Sequence, residues 1–258
     1  MVLQDAPPPL HSYVLIGSLL AFFVRRFPSL DSIDEAATVD TFTTCLYLNL
    51  WTVAVIRLSF AALILTDCTY AVLFGAWEQD TDYDPSSKLK SITIQFRGYF
   101  RQEFPKRSTA KALLTLSSFT MMAWTMLGIA FSLCGLVPIL HLLQLPIPQW
   151  LLRLALLTFE CSAPCTLLVS AVVKYAIWPL ALQEGSGNST ILKNPLTLVE
   201  HNANSFMALV EIGLLGGLPV RYQDFSVAPL FGISYVLFTW YMMDKWADAK
   251  EGPQGTST

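Results

Sequence analysis

Charged residues are scarce in this sequence. Lysine, arginine, aspartate and glutamate together make up 14% of the 258 residues, whereas hydrophobic residues make up 53%. Because soluble domains carry about 25% charged residues, this composition excludes an ordinary water-soluble domain and predicts an integral membrane protein. The formal net charge of −3 is small, so we expect no nucleic acid among its partners.

Cysteine is also rare, with five residues, and the number is odd. Each cysteine lies in an apolar stretch, and no pair has the C-x-x-C spacing, which argues against a disulfide framework and against a metal site. Cys161 and Cys165 are four residues apart on one face of a predicted helix, where buried packing is favoured over a metal or redox pair. The sequence therefore predicts no cofactor and no metal.

What the sequence does contain is a series of apolar stretches separated by polar loops that carry proline or glycine. A membrane-spanning helix needs about 20 residues. The first stretch, 10–24, is short for a span, and the second, 41–77, is long enough to bend or to protrude. The six stretches are 10–24, 41–77, 112–143, 150–182, 197–215 and 226–243.

These stretches predict an all-α fold, because backbone polar groups in lipid must be paired within each segment. We expect a polytopic transmembrane bundle of about six helices, with residues 1–258 forming a single integral membrane domain. Residues 1–111 hold the N-terminal helices and a polar loop, residues 112–243 form the helical core, and residues 244–258 form a polar tail. A multi-pass position in an endomembrane or the plasma membrane follows, with membrane lipids as partners.

Ionisable side chains inside such helices are costly and are functional candidates by default. Arg57 and Asp67 are ten residues apart on one predicted helix, so they do not pair with each other locally, and positions near the membrane interface are favoured for both. Glu160 lies four residues before Pro164, and a proline frees a backbone carbonyl and kinks its helix. Glu160 therefore either lines a cavity at that kink or bonds a neighbouring helix.

The stretch LVEHNANSFMALVEIGLL, which begins at Leu198, has polar residues at helical spacing. His201 is followed by Asn204, Ala208 and Glu211 at +3, +7 and +10, so the four form one stripe on a helix at about 100° per residue. A lone histidine on an apolar face is usually structural, and spacing alone still favours that interpretation. An amide and a carboxylate on the same face keep a reactive or ligand-binding role open as the alternative. We expect His201 in a polar cavity inside the bundle, with Asn204 and Glu211 facing the same way.

Several motifs in residues 112–243 match a known family. His201 opens a helix, Glu211 follows ten positions on, and a short loop with Pro219 and Arg221 leads into a G-x-x-Y-x-x-F helix, formed here by Gly232, Tyr235 and Phe238. The preceding helix, FECSAPCTLLVSAVVKYAIWP, has aromatic and small residues around a proline. These motifs resemble the androgen-induced membrane hydrolase family and its rolling-stone-like relatives.

One further helix of the family carries a threonine ten positions ahead of an aromatic pair, with a tryptophan nearby. The segment SSFTMMAWTMLGIAFSL supplies Thr120, Trp124 and, at +11, Phe131. Ala130 replaces the first member of the aromatic pair, which is a departure from the family's pattern.

The resemblance implies an intramembrane hydrolase of lipid esters, fatty acid esters of hydroxy fatty acids among them. Thr120 would be the nucleophile and His201 the general base, because a threonine hydroxyl needs an adjacent base. Glu160 or Asn204 would orient the imidazole. Trp124 and Glu211 complete the supporting polar residues, and Asn202, Asn204 or Trp124 would stabilise the oxyanion.

A second function class stays open. The alternative is a non-catalytic multi-pass membrane scaffold, or an accessory subunit of a membrane complex, with other membrane subunits as partners. In that case the polar stripe would join helices rather than carry chemistry.

Overall fold

The structure is a computed structural model, and it describes residues 10–74, 76–80, 107–179, 198–216, 218–219 and 221–248. Most of the predicted polar loop, and the tail beyond residue 248, lie outside these residues. Helices dominate the described part of the chain, as the composition predicts.

The helices follow the apolar stretches of the sequence. The α-helices are α1 (Leu10–Arg25), α2 (Leu30–Ala36), α3 (Val39–Thr43), α4 (Leu50–Phe74), α5 (Phe119–Leu142), α6 (Gln149–Val172), α7 (Asn204–Gly213) and α8 (Val227–Asp248). Short 3₁₀ turns cover Ala112–Ser117 and Tyr222–Asp224, and π turns cover Val173–Ile177 and Val199–Ala203. A short antiparallel pair, β1 (Ala76–Asp80) with β2 (Arg107–Lys111), departs from the all-α prediction.

Three helices are long and apolar enough to cross a membrane, namely α4, α5 and the combined segment Gln149–Ile177. A fourth results if α1 and α2 count as one span, bent by 65° at the break between them. Within the described ranges there are thus three or four such helices, fewer than the six predicted, since α7 and α8 do not meet the combined requirement of length and hydropathy.

Polar caps divide the long apolar stretch 41–77. Helix α3 is capped by Thr38, whose hydroxyl accepts from the N–H of Thr41 at 3.3 Å. Helix α4 begins at Leu50, directly after Asn49, whose side-chain oxygen accepts from the N–H of Thr52 at 2.8 Å. Such side chains satisfy N–H groups that a helix start leaves without partners, so the stretch breaks between the two helices.

Helix α5 lies at the centre of the bundle, packed between α4 and α6. Two of its glycines face α4 closely. A Cβ at Gly128 would lie 2.7 Å from Ile64 Cγ2, and one at Gly135 would lie 2.9 Å from Leu58 Cδ2. Small residues of this kind let membrane helices approach each other, and here they fix the distance between α4 and α5.

Two irregular segments meet inside the bundle, the break between α1 and α2 and the connection between α7 and α8. The Ser226 hydroxyl donates to the Arg26 carbonyl at 3.1 Å, and Arg221 Nη1 donates to the Ser32 carbonyl at 2.7 Å. Ser226 is fully buried. These contacts give the carbonyls of Arg26 and Ser32 partners within the protein and join the α7–α8 connection to the region where α1 ends and α2 begins.

Candidate functional site

Glu211, at the far end of α7, is joined to Arg57 of α4. The guanidinium donates from Nε to Oε2 at 2.9 Å and from Nη2 to Oε1 at 2.5 Å, and Nη1 donates to the carbonyls of Phe42 and Cys134. Both side chains are fully buried. Bidentate pairs of this kind are among the strongest in proteins. The guanidinium of Arg57 therefore has its partners inside the bundle and does not extend outward from it.

His201 lies at the opposite end of the same segment, in the π turn Val199–Ala203. Its side chain is half-buried, and its Nδ1 atom is buried with no hydrogen-bond partner. Its carbonyl oxygen accepts from the Ser170 hydroxyl at 2.5 Å. Single π turns inside helices are rare and occur often at functional sites. The imidazole is thus held by its backbone while its ring nitrogen stays available.

Burial also shifts the pKa values of two side chains in this turn, His201 and Glu200. The turn lies outside the three spanning helices. Burial lowers the pKa of His201 to about 4, so the imidazole is neutral at physiological pH and can accept a proton. Burial, and then the nearby Asp67 carboxylate, raises the pKa of Glu200 to about 7. Two adjacent residues of the π turn therefore have strongly shifted pKa values, which is typical of functional sites.

Asn204 is fully buried but does not bind the imidazole. Its side-chain oxygen accepts from the Ser170 hydroxyl at 2.8 Å and from the Ser205 N–H at 2.6 Å. The Ser205 and Ser170 hydroxyls are 2.6 Å apart. This cluster fastens the start of α7 to α6, so Asn204 supports the position of the π turn and leaves His201 Nδ1 without a partner.

Thr120 lies in the first turn of α5, two residues after Ser118, the cap whose hydroxyl accepts from the Met121 N–H at 3.2 Å. Its side chain is half-buried. Val199 and Ala203 of the π turn pack on a hydrophobic cluster that includes residues of this same helix end. Among the hydrogen bonds of the described residues, none joins Thr120 to His201.

Trp124 is fully buried one turn further along α5. Its indole Nε1 donates to Asp67 Oδ2 of α4 at 2.9 Å. Asn202, another candidate for oxyanion stabilisation, donates its amide to the Leu198 carbonyl at 2.8 Å. Both donors therefore already have acceptors within the protein.

Glu160 belongs to a different group of side chains. It lines a cavity of about 640 Å³ beside Arg221 and Asp224. Arg221 Nε lies 3.8 Å from Glu160 Oε1 but donates to Asp224 Oδ2 at 2.6 Å. The sequence left open whether Glu160 lines a cavity or bonds a neighbouring helix, and the structure shows that it lines a cavity. Neither Glu160 nor Asn204 bonds His201 Nδ1, since that atom has no partner.

The structure therefore separates the predicted site residues into groups. Thr120, Trp124, His201 and Asn204 lie at the end of the bundle where α5 begins and α6 finishes, whereas Glu211 and Glu160 each have other neighbours. Sequence reasoning missed Arg57 as the partner of Glu211, and it missed Asp224. The signal for Asp224 was its i, i+3 spacing from Arg221 in the segment RYQD.

Comparison of this chain with models of protein families, with curated proteins and with solved structures gives no match. The resemblance of residues 112–243 to the androgen-induced hydrolases rests on its short motifs. The fold alone defines a helical protein with several potential membrane spans, and its function has to be argued from the side chains.

Proposed function

We propose that this chain is a multi-pass membrane hydrolase of lipid esters, with Thr120 as nucleophile and His201 as general base. The observation that carries the proposal is the state of His201. Its imidazole is neutral, its Nδ1 atom is buried without a partner, and it lies in a π turn that Ser170 and Asn204 hold in place. A buried polar atom without a partner lowers stability, so His201 Nδ1 does not serve stability, and this supports a catalytic role.

The reaction divides into two steps. His201 takes the hydroxyl proton of Thr120 while the oxygen attacks the ester carbonyl carbon, and the resulting imidazolium returns that proton to the leaving alcohol. Water then attacks the acyl-threonine ester with His201 again as base, which releases the fatty acid and restores the threonine. Hydrolysis of an ester by this route needs no further reactant.

The position of Thr120 supports oxyanion stabilisation by the backbone. The N–H groups in the first turn of a helix have no acceptor within the helix, and Ser118 accepts one of them, from Met121. Thr120 itself carries one of the other N–H groups of that turn. Backbone donors of this kind are typically worth about 10²–10³ in rate each, and they replace the side-chain donors that already bind Asp67 and Leu198.

A hydrolysis assay tests the proposal. Purified protein in lipid nanodiscs would be given fluorogenic lipid esters, and wild type compared with Thr120→Ala. We expect the substitution to lower the rate by about 10²–10⁴-fold, the usual range for loss of assisted attack. Thr125→Ala is the matched control, since Thr125 is on the same helix and bonds the Met121 carbonyl. Equal activity in wild type and Thr120→Ala would refute the threonine mechanism.

The pH profile gives a second test. A base with a pKa of about 4 loses function only when it is protonated below that pH. The acid limb of kcat/KM, which reports the free enzyme, is therefore expected near pH 4. An acid limb at the ordinary histidine pKa of about 6.5 would mean that a solvated imidazole is the base.

The second candidate is a non-catalytic membrane scaffold or accessory subunit of a membrane complex. One observation favours it, namely that Glu211 of the polar stripe joins α7 to α4 through Arg57. Absence of turnover by the wild type over a panel of lipid esters, together with retention of other membrane subunits during purification, would favour this candidate.

A further inference from the structure

Two acidic side chains meet where the α7–α8 connection contacts α6. Glu160 of α6 and Asp224 of the connection are each 3% exposed, and their carboxyl groups lie within hydrogen-bond distance of each other. Both oxygens of Glu160 and Oδ1 of Asp224 are buried without a hydrogen-bond donor as partner. Because two bare carboxylates at this distance repel each other, the contact requires a proton between them.

Arg221 is the cation beside this pair. Its Nε donates to Asp224 Oδ2 at 2.6 Å, and its Nη1 donates to the Ser32 carbonyl at 2.7 Å. Its Nη2 lies 2.6 Å from the same Asp224 oxygen but is buried without a well-formed hydrogen bond. The guanidinium therefore balances the charge of Asp224, and an ionised Glu160 would leave a buried charge without compensation, which is costly.

The cavity beside the pair offers no second cation. Its lining contains two further titratable side chains, Cys165 and Tyr222, and neither carries a positive charge. In the part of the chain that the structure describes, no group of three or more His, Cys, Asp or Glu side chains is placed to hold a metal ion. A proton on one of the two carboxyl groups is then what makes the cluster electrically neutral.

We propose that Glu160 and Asp224 form a proton-binding site, in which the two carboxyl groups share one proton that holds the α7–α8 connection against α6. Protonated Glu160 donates its O–H to the Asp224 carboxylate, while Arg221 stays paired with Asp224. Like charges about 3 Å apart cannot both ionise, which is why paired carboxyl groups in other proteins share a proton. Loss of this proton leaves two carboxylates beside one guanidinium, and their repulsion separates the connection from α6.

Infrared spectroscopy measures the proton directly. A protonated carboxyl group has a C=O stretch apart from those of carboxylates and backbone amides, and this band would be recorded for the full-length protein in nanodiscs in D₂O. The buffer is set about one pH unit above the pKa of about 7 of Glu200, so that Glu200 is mostly ionised. We expect the band in the wild type, and we expect it to fall by one carboxyl group in Glu160→Gln.

The control for this measurement is Glu35→Gln, which makes the same chemical change at an exposed glutamate of α2 and should keep the whole band. Equal bands in the wild type and in Glu160→Gln would overturn the proposal. A wild type without the band would also overturn it, whether or not Glu160→Gln folds.

A second substitution distinguishes a shared proton from a Glu160 that is protonated through burial alone. In Asp224→Asn the guanidinium of Arg221 loses its carboxylate, and an ionised Glu160, whose Oε1 lies 3.8 Å from Arg221 Nε, can balance it. We therefore expect the band to fall in Asp224→Asn by the same amount as in Glu160→Gln. A band that persists in Asp224→Asn would contradict the sharing of the proton.

Hydrogen exchange followed by peptide mass spectrometry tests whether the proton holds the connection in place. Above the pH at which the proton is released, a contact that needs one bound proton weakens about tenfold per pH unit. We expect the protection of the amides of residues 221–228 to fall by about that factor in the wild type, after correction for intrinsic exchange. Glu160→Gln replaces the acid O–H by an amide N–H, so its protection should not change with pH. The same pH dependence in both proteins would contradict this role of the proton.

The proton-binding site is independent of the proposed hydrolase. Thr120→Ala should keep the infrared band, and failure of ester hydrolysis would leave the infrared result standing. Conversely, a wild type that hydrolyses esters but lacks the band would reject the proton-binding site alone.

Discussion

The two ends of the segment 199–213 treat buried polar groups in opposite ways. At one end, both oxygens of Glu211 accept from Arg57, and the same guanidinium also donates to two backbone carbonyls. At the other end, ten residues away, His201 Nδ1 is buried with no partner. A stripe on a helical wheel suggests that its polar residues share one role. This segment contains one fully paired and one unpaired polar group, so its polar residues do not share one role.

The paired group at one end and the unpaired group at the other predict opposite effects of substitution on stability. A buried ion pair is worth little relative to apolar residues, but removal of one member leaves an uncompensated charge and is strongly destabilising. Removal of a buried polar atom that has no hydrogen-bond partner has the opposite effect and stabilises the protein, since it takes away a desolvation cost. We therefore expect Glu211 to stabilise the packing of α7 on α4, whereas the role proposed for His201 does not require it to add stability.

The largest effect is expected at the paired end. Arg57→Ala leaves the Glu211 carboxylate without a donor among apolar neighbours, and we expect it to lower the free energy of unfolding by about 3–5 kcal/mol. Denaturant unfolding in detergent, followed by tryptophan fluorescence, measures this. Arg153→Ala is the matched control, because Arg153 pairs with Asp34 where both side chains are about one-third exposed, and its loss should be much smaller. Equal losses in the two variants would remove the distinction on which the comparison rests.

A smaller effect of opposite sign is expected at the unpaired end. His201→Leu replaces an imidazole whose Nδ1 has no partner, so the free energy of unfolding should rise by about 1–2 kcal/mol, while ester hydrolysis is lost. The same unfolding and hydrolysis assays provide both values. A destabilisation comparable to that of Arg57→Ala would show that His201 stabilises the fold, as Glu211 does.

The smallest effect is expected between the two ends, at Asn204. Asn204→Ala removes the acceptor of Ser170 and of the Ser205 N–H, but Ser170 keeps its bond to the His201 carbonyl. We expect a loss of about 1 kcal/mol in unfolding free energy and a several-fold fall in hydrolysis, measured together. No change in hydrolysis would indicate that the π turn holds its shape without the Asn204 cluster.

The positions of the helices could be predicted from the sequence because apolar stretches and capping residues are local signals. The helices α4 and α5 lie within the second and third apolar stretches, and α6 begins one residue before the fourth. The number of spans was not predictable in the same way. Breaks such as the one between α1 and α2 depend on contacts with the distant segment around Arg221 and Ser226.

The arrangement of the polar residues was less predictable still. Choosing Arg57 as the partner of Glu211 requires the depth and rotation of two helices 154 residues apart in the chain, and periodicity within one helix contains no such information. The π turn at His201 also has no compositional signature, because the residue types in VEHNA are equally compatible with an ordinary α-helical turn. Spacing along the segment therefore predicted neither the partner of Glu211 nor the π turn at His201.

Covalent labelling of Thr120 tests the central claim most directly. A fluorophosphonate with an alkyl chain reacts with hydroxyl nucleophiles that an adjacent base activates, and peptide mass spectrometry locates the adduct. We predict an adduct on Thr120 in the wild type, unchanged in Thr125→Ala and absent in His201→Ala. A wild-type protein without an adduct on Thr120, or one labelled equally in His201→Ala, would contradict the assignment of these two residues as nucleophile and base.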